Sequence, residues 1–239
     1  MKKRVRLQSM LPFYLFVFGA CLIVTAYADR TITVMSETRP LQNRTCIVID
    51  PGHGGEDGGA ISCTGVLESK INLEISQRLN DLLHYLGYDT LMIRTEDVSV
   101  YTDGETIAAR KVSDLKQRVK ILNETSNALL ISIHQNHYSE NKYSGAQVFY
   151  SATKNSEDLA KKLQGLLVTT INPGSRRQAK KASGIYLMEH INCDGILIEC
   201  GFLSNPQEEA KLQSAAYQKK LCCVFASAIS NYLDRNNAD

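Results

Sequence analysis

Thr45-Cys46-Ile47-Val48-Ile49-Asp50-Pro51-Gly52-His53-Gly54-Gly55-Glu56-Asp57-Gly58-Gly59-Ala60 decides the reading of this chain. The β-branched run reads as a buried strand, and Asp-Pro-Gly stops it abruptly. The strand delivers one histidine, His53, into a glycine-rich loop that lets a ligand approach the backbone closely. The loop lacks the Gly-x-x-x-x-Gly-Lys and Gly-x-Gly-x-x-Gly spacings of phosphate-binding loops. Asp50, Glu56 and Asp57 would also repel phosphate. A metal-binding or catalytic histidine at a strand end is the better reading.

Downstream, the same pattern recurs. Ala128–His134 is an apolar run closing on His134, and Gly195–Glu199 closes on Glu199. Between them lie helical patterns. Ile71, Ile75, Leu79, Leu82, Leu83 and Leu86 share one face before Gly87, and Leu115, Val119 and Leu122 mark a helix over about 113–124. A helix is expected from about Ser156 to Thr170. Asn205-Pro206 starts a short helix, and Leu221, Val224, Phe225, Ala228, Ile229 and Tyr232 mark the last one. Short strands are expected at Thr90–Arg94 and Gly145–Tyr150, with loops over Thr95–Lys111 and Asn172–Lys181. The second loop is basic and reads as solvated surface, with a minor role beside an acidic substrate as the alternative. Strands alternating with helices predict an α/β fold: a single domain with a mostly parallel twisted sheet flanked by helices. His53, His134 and Glu199 then meet at the carboxyl edge, where open α/β sheets bind ligands.

Composition narrows the rest. The chain has 239 residues, 27 basic against 25 acidic, so no nucleic-acid partner is indicated. Lys2, Lys3, Arg4 and Arg6 precede an uncharged run from Met10 to Tyr27, and Ala26-Tyr27-Ala28 fits a cleavage site. Residues 1–28 are therefore expected to be a signal peptide or membrane anchor, 29–44 a linker and 45–239 the catalytic domain. Either form of leader puts the domain outside the cytoplasm, and the membrane enters only through this segment. Most cysteines read as buried thiols, and Cys63 with Cys193 is the one pairing entertained.

Two histidines and a carboxylate with an open position make a hydrolytic zinc arrangement. His53 and His134 supply nitrogens. Glu68, at a helix start, is the preferred third ligand. Glu56 and Asp57 are nearer in sequence but lie among glycines, and a helix-start salt bridge is the ordinary alternative for Glu68. His137 replaces His134 as ligand if the strand runs further. Glu199, closing Ile196-Leu197-Ile198, is poorly solvated, which raises its pKa toward that of a general base. A strand-end ion pair is its ordinary alternative.

The set Ile49-Asp50-Pro51-Gly52-His53-Gly54-Gly55, Glu68, Arg94, Ser132-Ile133-His134-Gln135-Asn136 and Ile198-Glu199-Cys200-Gly201-Phe202-Leu203-Ser204-Asn205 resembles the zinc-dependent N-acetylmuramoyl-L-alanine amidases of the Amidase_3 family. By that resemblance, His53, Glu68 and His134 bind Zn2+ and Glu199 is the catalytic glutamate. Arg94, Arg118 and Asn136 match family positions that serve substrate or support. The segments Arg110–Lys120 and Gly184–Met188 resemble the spore-cortex, germination-type members. The implied substrate is peptidoglycan, cut between N-acetylmuramic acid and the L-alanine of the stem peptide. Targeting falls to the groove, the membrane tether or an accessory partner protein. Two departures stand out: Cys200 after the glutamate, expected to bring a thiol near the metal, and His137 where a small residue is usual. A non-catalytic wall-binding module and a nucleotide-binding protein are the competing classes. The complete set of four residues counts against the first, and the acidic glycine loop against the second.

Overall fold

The computed structural model describes Phe18 and residues 44–153 and 155–236. The expected leader and linker lie outside the described residues, apart from Phe18 and Arg44. Among the described residues, no helix is long and apolar enough to cross a membrane.

In chain order the elements are β1 Cys46–Pro51, α1 Glu68–Tyr85, β2 Asp89–Met92, α2 Ile107–Glu124, β3 Ala128–Asn136 and β4 Gln147–Tyr150. They continue as α3 Ser156–Thr170, β5 Lys180–Lys181, α4 Tyr186–His190, β6 Asp194–Phe202, α5 Pro206–Leu212 and α6 Ala215–Asn236. The six strands form one sheet in the order β2-β1-β3-β6-β4-β5. β2, β1, β3 and β6 run parallel, and β4 runs antiparallel to β6 and parallel to β5. This is the mostly parallel α/β sheet that the alternating pattern predicts.

The central strands are apolar on both sides because both sides are covered. Ile47, Ile49, Leu129, Ile131, Ile133, Ile196, Ile198 and Cys200 pack in one cluster with residues of α1, α3 and α6. Val48, Leu130 and Leu197 point the other way, toward Leu122 of α2 and Leu187 and Met188 of α4. Each such aliphatic side chain contributes about 1.5–3 kcal/mol by leaving water. α1 ends where the sequence says it should. Gly87 takes φ +83°, its N–H reaches the His84 carbonyl at 2.9 Å, and that of Tyr88 reaches Leu83 at 3.0 Å. Only glycine accepts that left-handed position without cost.

Two boundaries differ from expectation. α2 begins at Ile107 rather than near Ser113, capped by Thr106, whose hydroxyl accepts from the Ala109 N–H at 3.2 Å. Ile107 and Val112 are exposed, so no apolar periodicity announces these first turns. The basic loop contains a short edge strand, Lys180–Lys181, where exposed lysines discourage further strand pairing.

Candidate active site

Strand geometry places the polar residues. On β3 and β6, His134 pairs with Glu199, and Ser132 with Leu197. Partners in register share a face of the sheet. Asp50 of β1 pairs with Ser132, so Asp50, Ser132, His134 and Glu199 line the α2/α4 face. The pleat turns Cys200 to the opposite face, into the core with Ile198, and it is fully buried. The thiol next to Glu199 in sequence therefore faces the core rather than the crevice, because alternation along β6 turns the two side chains to opposite faces.

His53 arrives from the loop after β1 in a left-handed conformation, φ +61°. Gly52 is obligatory here, because a Cβ at that position would lie 2.2 Å from Cε1 of His134. Two buried arginines hold the loop. Arg94 donates to the carbonyls of Pro51 (2.9 Å), Gly52 (3.0 Å), Ser69 (2.8 Å) and Glu96 (3.0 Å). Arg118 donates to the carbonyls of Pro51 (3.0 Å) and His53 (2.8 Å), to Asp114, and closely to Asp50. Ser132 donates to the second Asp50 oxygen at 2.7 Å. Burial alone would raise the Asp50 pKa, but the Arg118 charge and these hydrogen bonds hold it below the usual range. Both guanidiniums thus reach the backbone at the start of the loop, Arg94 together with the carbonyls of Ser69 and Glu96, and Arg118 together with the carboxylates of Asp50 and Asp114. Asn136 closes β3, half-buried, with its carbonyl accepting from the Leu203 N–H at 2.8 Å.

His53, Glu68 and His134 come together, with one ligand atom from each lying within 4.8 Å of the others. Glu68 Oε2 is 3.3 Å from His53 Nε2, and Oε1 is 3.1 Å from His134 Nδ1. Glu68 opens α1 and accepts N–H bonds from Ala60 (3.0 Å), Gln135 (3.0 Å) and Asn72 (3.2 Å). Burial pushes its pKa up, but the two histidines outweigh it and keep the carboxylate ionised. Asp57 completes the arrangement, its Oδ2 2.9 Å from His53 Nδ1. Burial alone would lower the His53 pKa, yet its bonds to Asp57 and Glu68 push it up to about 9.

Glu199 is the opposite case. Its Oε2 is buried and has no hydrogen-bond partner among the described residues. Burial, with a smaller contribution from Glu68, pushes its pKa up to about 7, against the pull of the two histidines. The two glutamates are thereby separated by environment, one pKa pushed down and the other up.

The alternative ligands His137 and Glu56 and the other histidines fall elsewhere. His137 is exposed beyond the end of β3, and the ring in the cluster belongs to His134. Glu56 pairs with Arg110 at 2.6 Å. His84 contacts the Thr90 hydroxyl, and His190 stacks on Tyr186. The six described cysteines are all free. Cys200 and Cys222 are buried as expected, but Cys46 and Cys193 are half-buried and Cys63 and Cys223 exposed, so the expectation of mostly buried thiols is not met, and Cys63 and Cys193 do not pair. Asp57 entered the sequence reading as a carboxylate that repels phosphate and as an alternative ligand. Its position four residues after His53 was the available signal for a bond to that ring.

Comparison with known proteins gives a consistent pattern. The profile of the Amidase_3 family, described as N-acetylmuramoyl-L-alanine amidase, matches residues 47–231. A germination-specific N-acetylmuramoyl-L-alanine amidase of Bacillus subtilis is 40% identical over 188 residues, 78% of each chain. The CwlD amidase of Clostridioides difficile, solved in complex with the GerS lipoprotein, superposes with a TM-score of 0.76 at 34% identity, covering 80% of this chain and 99% of that one. An N-acetylmuramoyl-L-alanine amidase of Clostridium difficile 630 gives a TM-score of 0.70 at 31% identity, over 80% and 98% of the two chains. Family and cluster together suggest a metal site at His53, Glu68 and His134.

Proposed function

The chain belongs to the Amidase_3 family and is an N-acetylmuramoyl-L-alanine amidase, and from that premise we propose that zinc is its cofactor, that His53, Glu68 and His134 hold it, and that Glu199 is the general base. The observation that carries this reading is the contrast between the satisfied, ionised Glu68 inside the histidine cluster and the orphaned Glu199 oxygen beside it. Two imidazoles and one carboxylate form the donor set of hydrolytic zinc sites. Asp57 supports it by holding the far nitrogen of His53.

When bound, zinc supplies Lewis acidity at the scissile carbonyl. Glu199, with a pKa of about 7, takes a proton from the attacking water as the carbon–oxygen bond forms. It returns that proton to the alanine nitrogen as the carbon–nitrogen bond breaks, leaving the lactyl carboxylic acid and a free stem peptide. Arg94 and Arg118 act through the loop backbone and position His53. Asn136, at the strand end next to the cluster, serves substrate or support.

The reading extends to place and partners. A cell-wall amidase acts outside the cytoplasm, and residues 1–28 supply export or anchoring, with 29–44 as the link to the domain at 45–239. Likeness to the germination-specific Bacillus subtilis relative supports a role in the spore cortex. The lipoprotein complex of the Clostridioides difficile relative supports an accessory protein partner. The test is mass spectrometry of muropeptides incubated with the zinc-loaded chain. Free stem peptides beginning at alanine, lost with a chelator and restored by zinc, are expected. Intact muropeptides would overturn the reading.

A further inference from the structure

We infer that the basic groove beside β4 is a subsite for an acidic peptide, the stem-peptide side of the substrate; the inference rests on the amidase reading above. Gln147 of β4 sits directly opposite Glu199 in the antiparallel pair. Opposed residues share a face, so the groove starts one strand away from the proposed base, on the same side of the sheet. The next strand continues it. Lys180 aligns with Phe149, which aligns with Leu197 on the active-site face. Gln147, Arg176, Arg177 and Lys180 line this groove.

Arg177 is built into the wall rather than waving from it. Its Nε donates to the Ser144 carbonyl at 3.1 Å, its Nη1 to Gln147 Oε1 at 3.4 Å, and its guanidinium lies 5.1 Å over the Phe202 ring. Among the described residues, none of Arg176, Arg177 and Lys180 makes an ion pair. A fixed guanidinium with no carboxylate of its own, next to two more cations, suits a ligand that brings carboxylates. The leaving half of the amidase substrate is a peptide, and its acidic residues lie within a few bonds of the scissile nitrogen. The sugar half carries no such charge, which directs the peptide toward β4 and the glycan away from it.

The test titrates the zinc-loaded full chain with an acidic stem pentapeptide and with its fully amidated counterpart, reading the ratio of the two Kd values by calorimetry. The acidic peptide should bind about tenfold tighter, the scale of two partly exposed ion pairs. In Arg177→Gln/Lys180→Gln the ratio should fall to about two or less. Arg176→Gln, at an exposed position that leaves the packing over Phe202 intact, should lower the ratio in the same direction. A ratio near one in the unmodified chain, or a ratio retained in both variants, overturns the subsite. So does inorganic phosphate competing as well as the peptide. Failure of the amidase reading shows separately, as absence of stem-peptide release from muropeptides by the unmodified chain.

Discussion

Asp57 accepts from Nδ1 of His53 at 2.9 Å, which leaves Nε2 as the nitrogen facing Glu68. The carboxylate selects the tautomer and fixes the ring, although it is not among the three clustered ligands.

Asp57→Asn should therefore weaken metal binding without removing a ligand. A loss of about 10–100-fold in zinc affinity is expected, read by competition with a chromophoric chelator. Affinity equal to that of the unmodified chain would show that the ring is held by its backbone alone.

Glu68 and Glu199 should fail differently. Glu68→Ala removes an anionic ligand, so zinc content falls and activity recovers in part with excess zinc. Glu199→Gln should keep the metal while turnover drops by about 10²–10⁴-fold, without rescue. Metal analysis beside kinetics separates the two, and a Glu199→Gln protein that loses its zinc would exchange the roles.

The raised pKa of Glu199 has a signed effect on stability. Its carboxyl moves from the usual 4.5 up to about 7 on folding, so between those values the folded chain binds more protons than the unfolded one. That preference stabilises the fold fully below about 4.5 and is lost as pH rises toward about 7. In the metal-free protein, Glu199→Gln should melt above the unmodified chain at pH 8, with the gap shrinking as the pH falls to about 4.5. Melting curves at both pH values decide it, and a gap independent of pH contradicts the assignment.

The Asp50–Arg118 pair is buried on both sides. Arg118→Met leaves Asp50 uncompensated and should cost about 3–5 kcal/mol in urea denaturation. The loss should appear in the metal-free protein too, because the arginine supports the loop rather than the substrate.

Much of this arrangement could be read before any coordinates. His53, His134 and Glu199 stood out because each is a polar residue ending an apolar run, and parallel strands bring such ends to one edge. The face of α1 and its stop at Gly87 followed from helical spacing and one turn residue. What escaped depended on direction rather than position. The carbonyls that Arg94 and Arg118 reach and the ring that Asp57 holds are set by tertiary packing, which no local pattern encodes. Cys200 was expected beside the metal because it adjoins Glu199 in sequence, yet neighbours on a strand face apart. The start of α2 was missed because its first turns are exposed and carry no periodic signal.

The alternation of Ile198, Glu199 and Cys200 also acts as a lock on alignment. Sliding β6 by one residue against β3 would turn Cys200 outward into the crevice and drive the Glu199 carboxylate among Ile131, Ile133 and Phe225. A charge forced into that apolar layer costs several kcal/mol. The mispaired sheet is therefore disfavoured by the same side chain that the correct register sets beside His134.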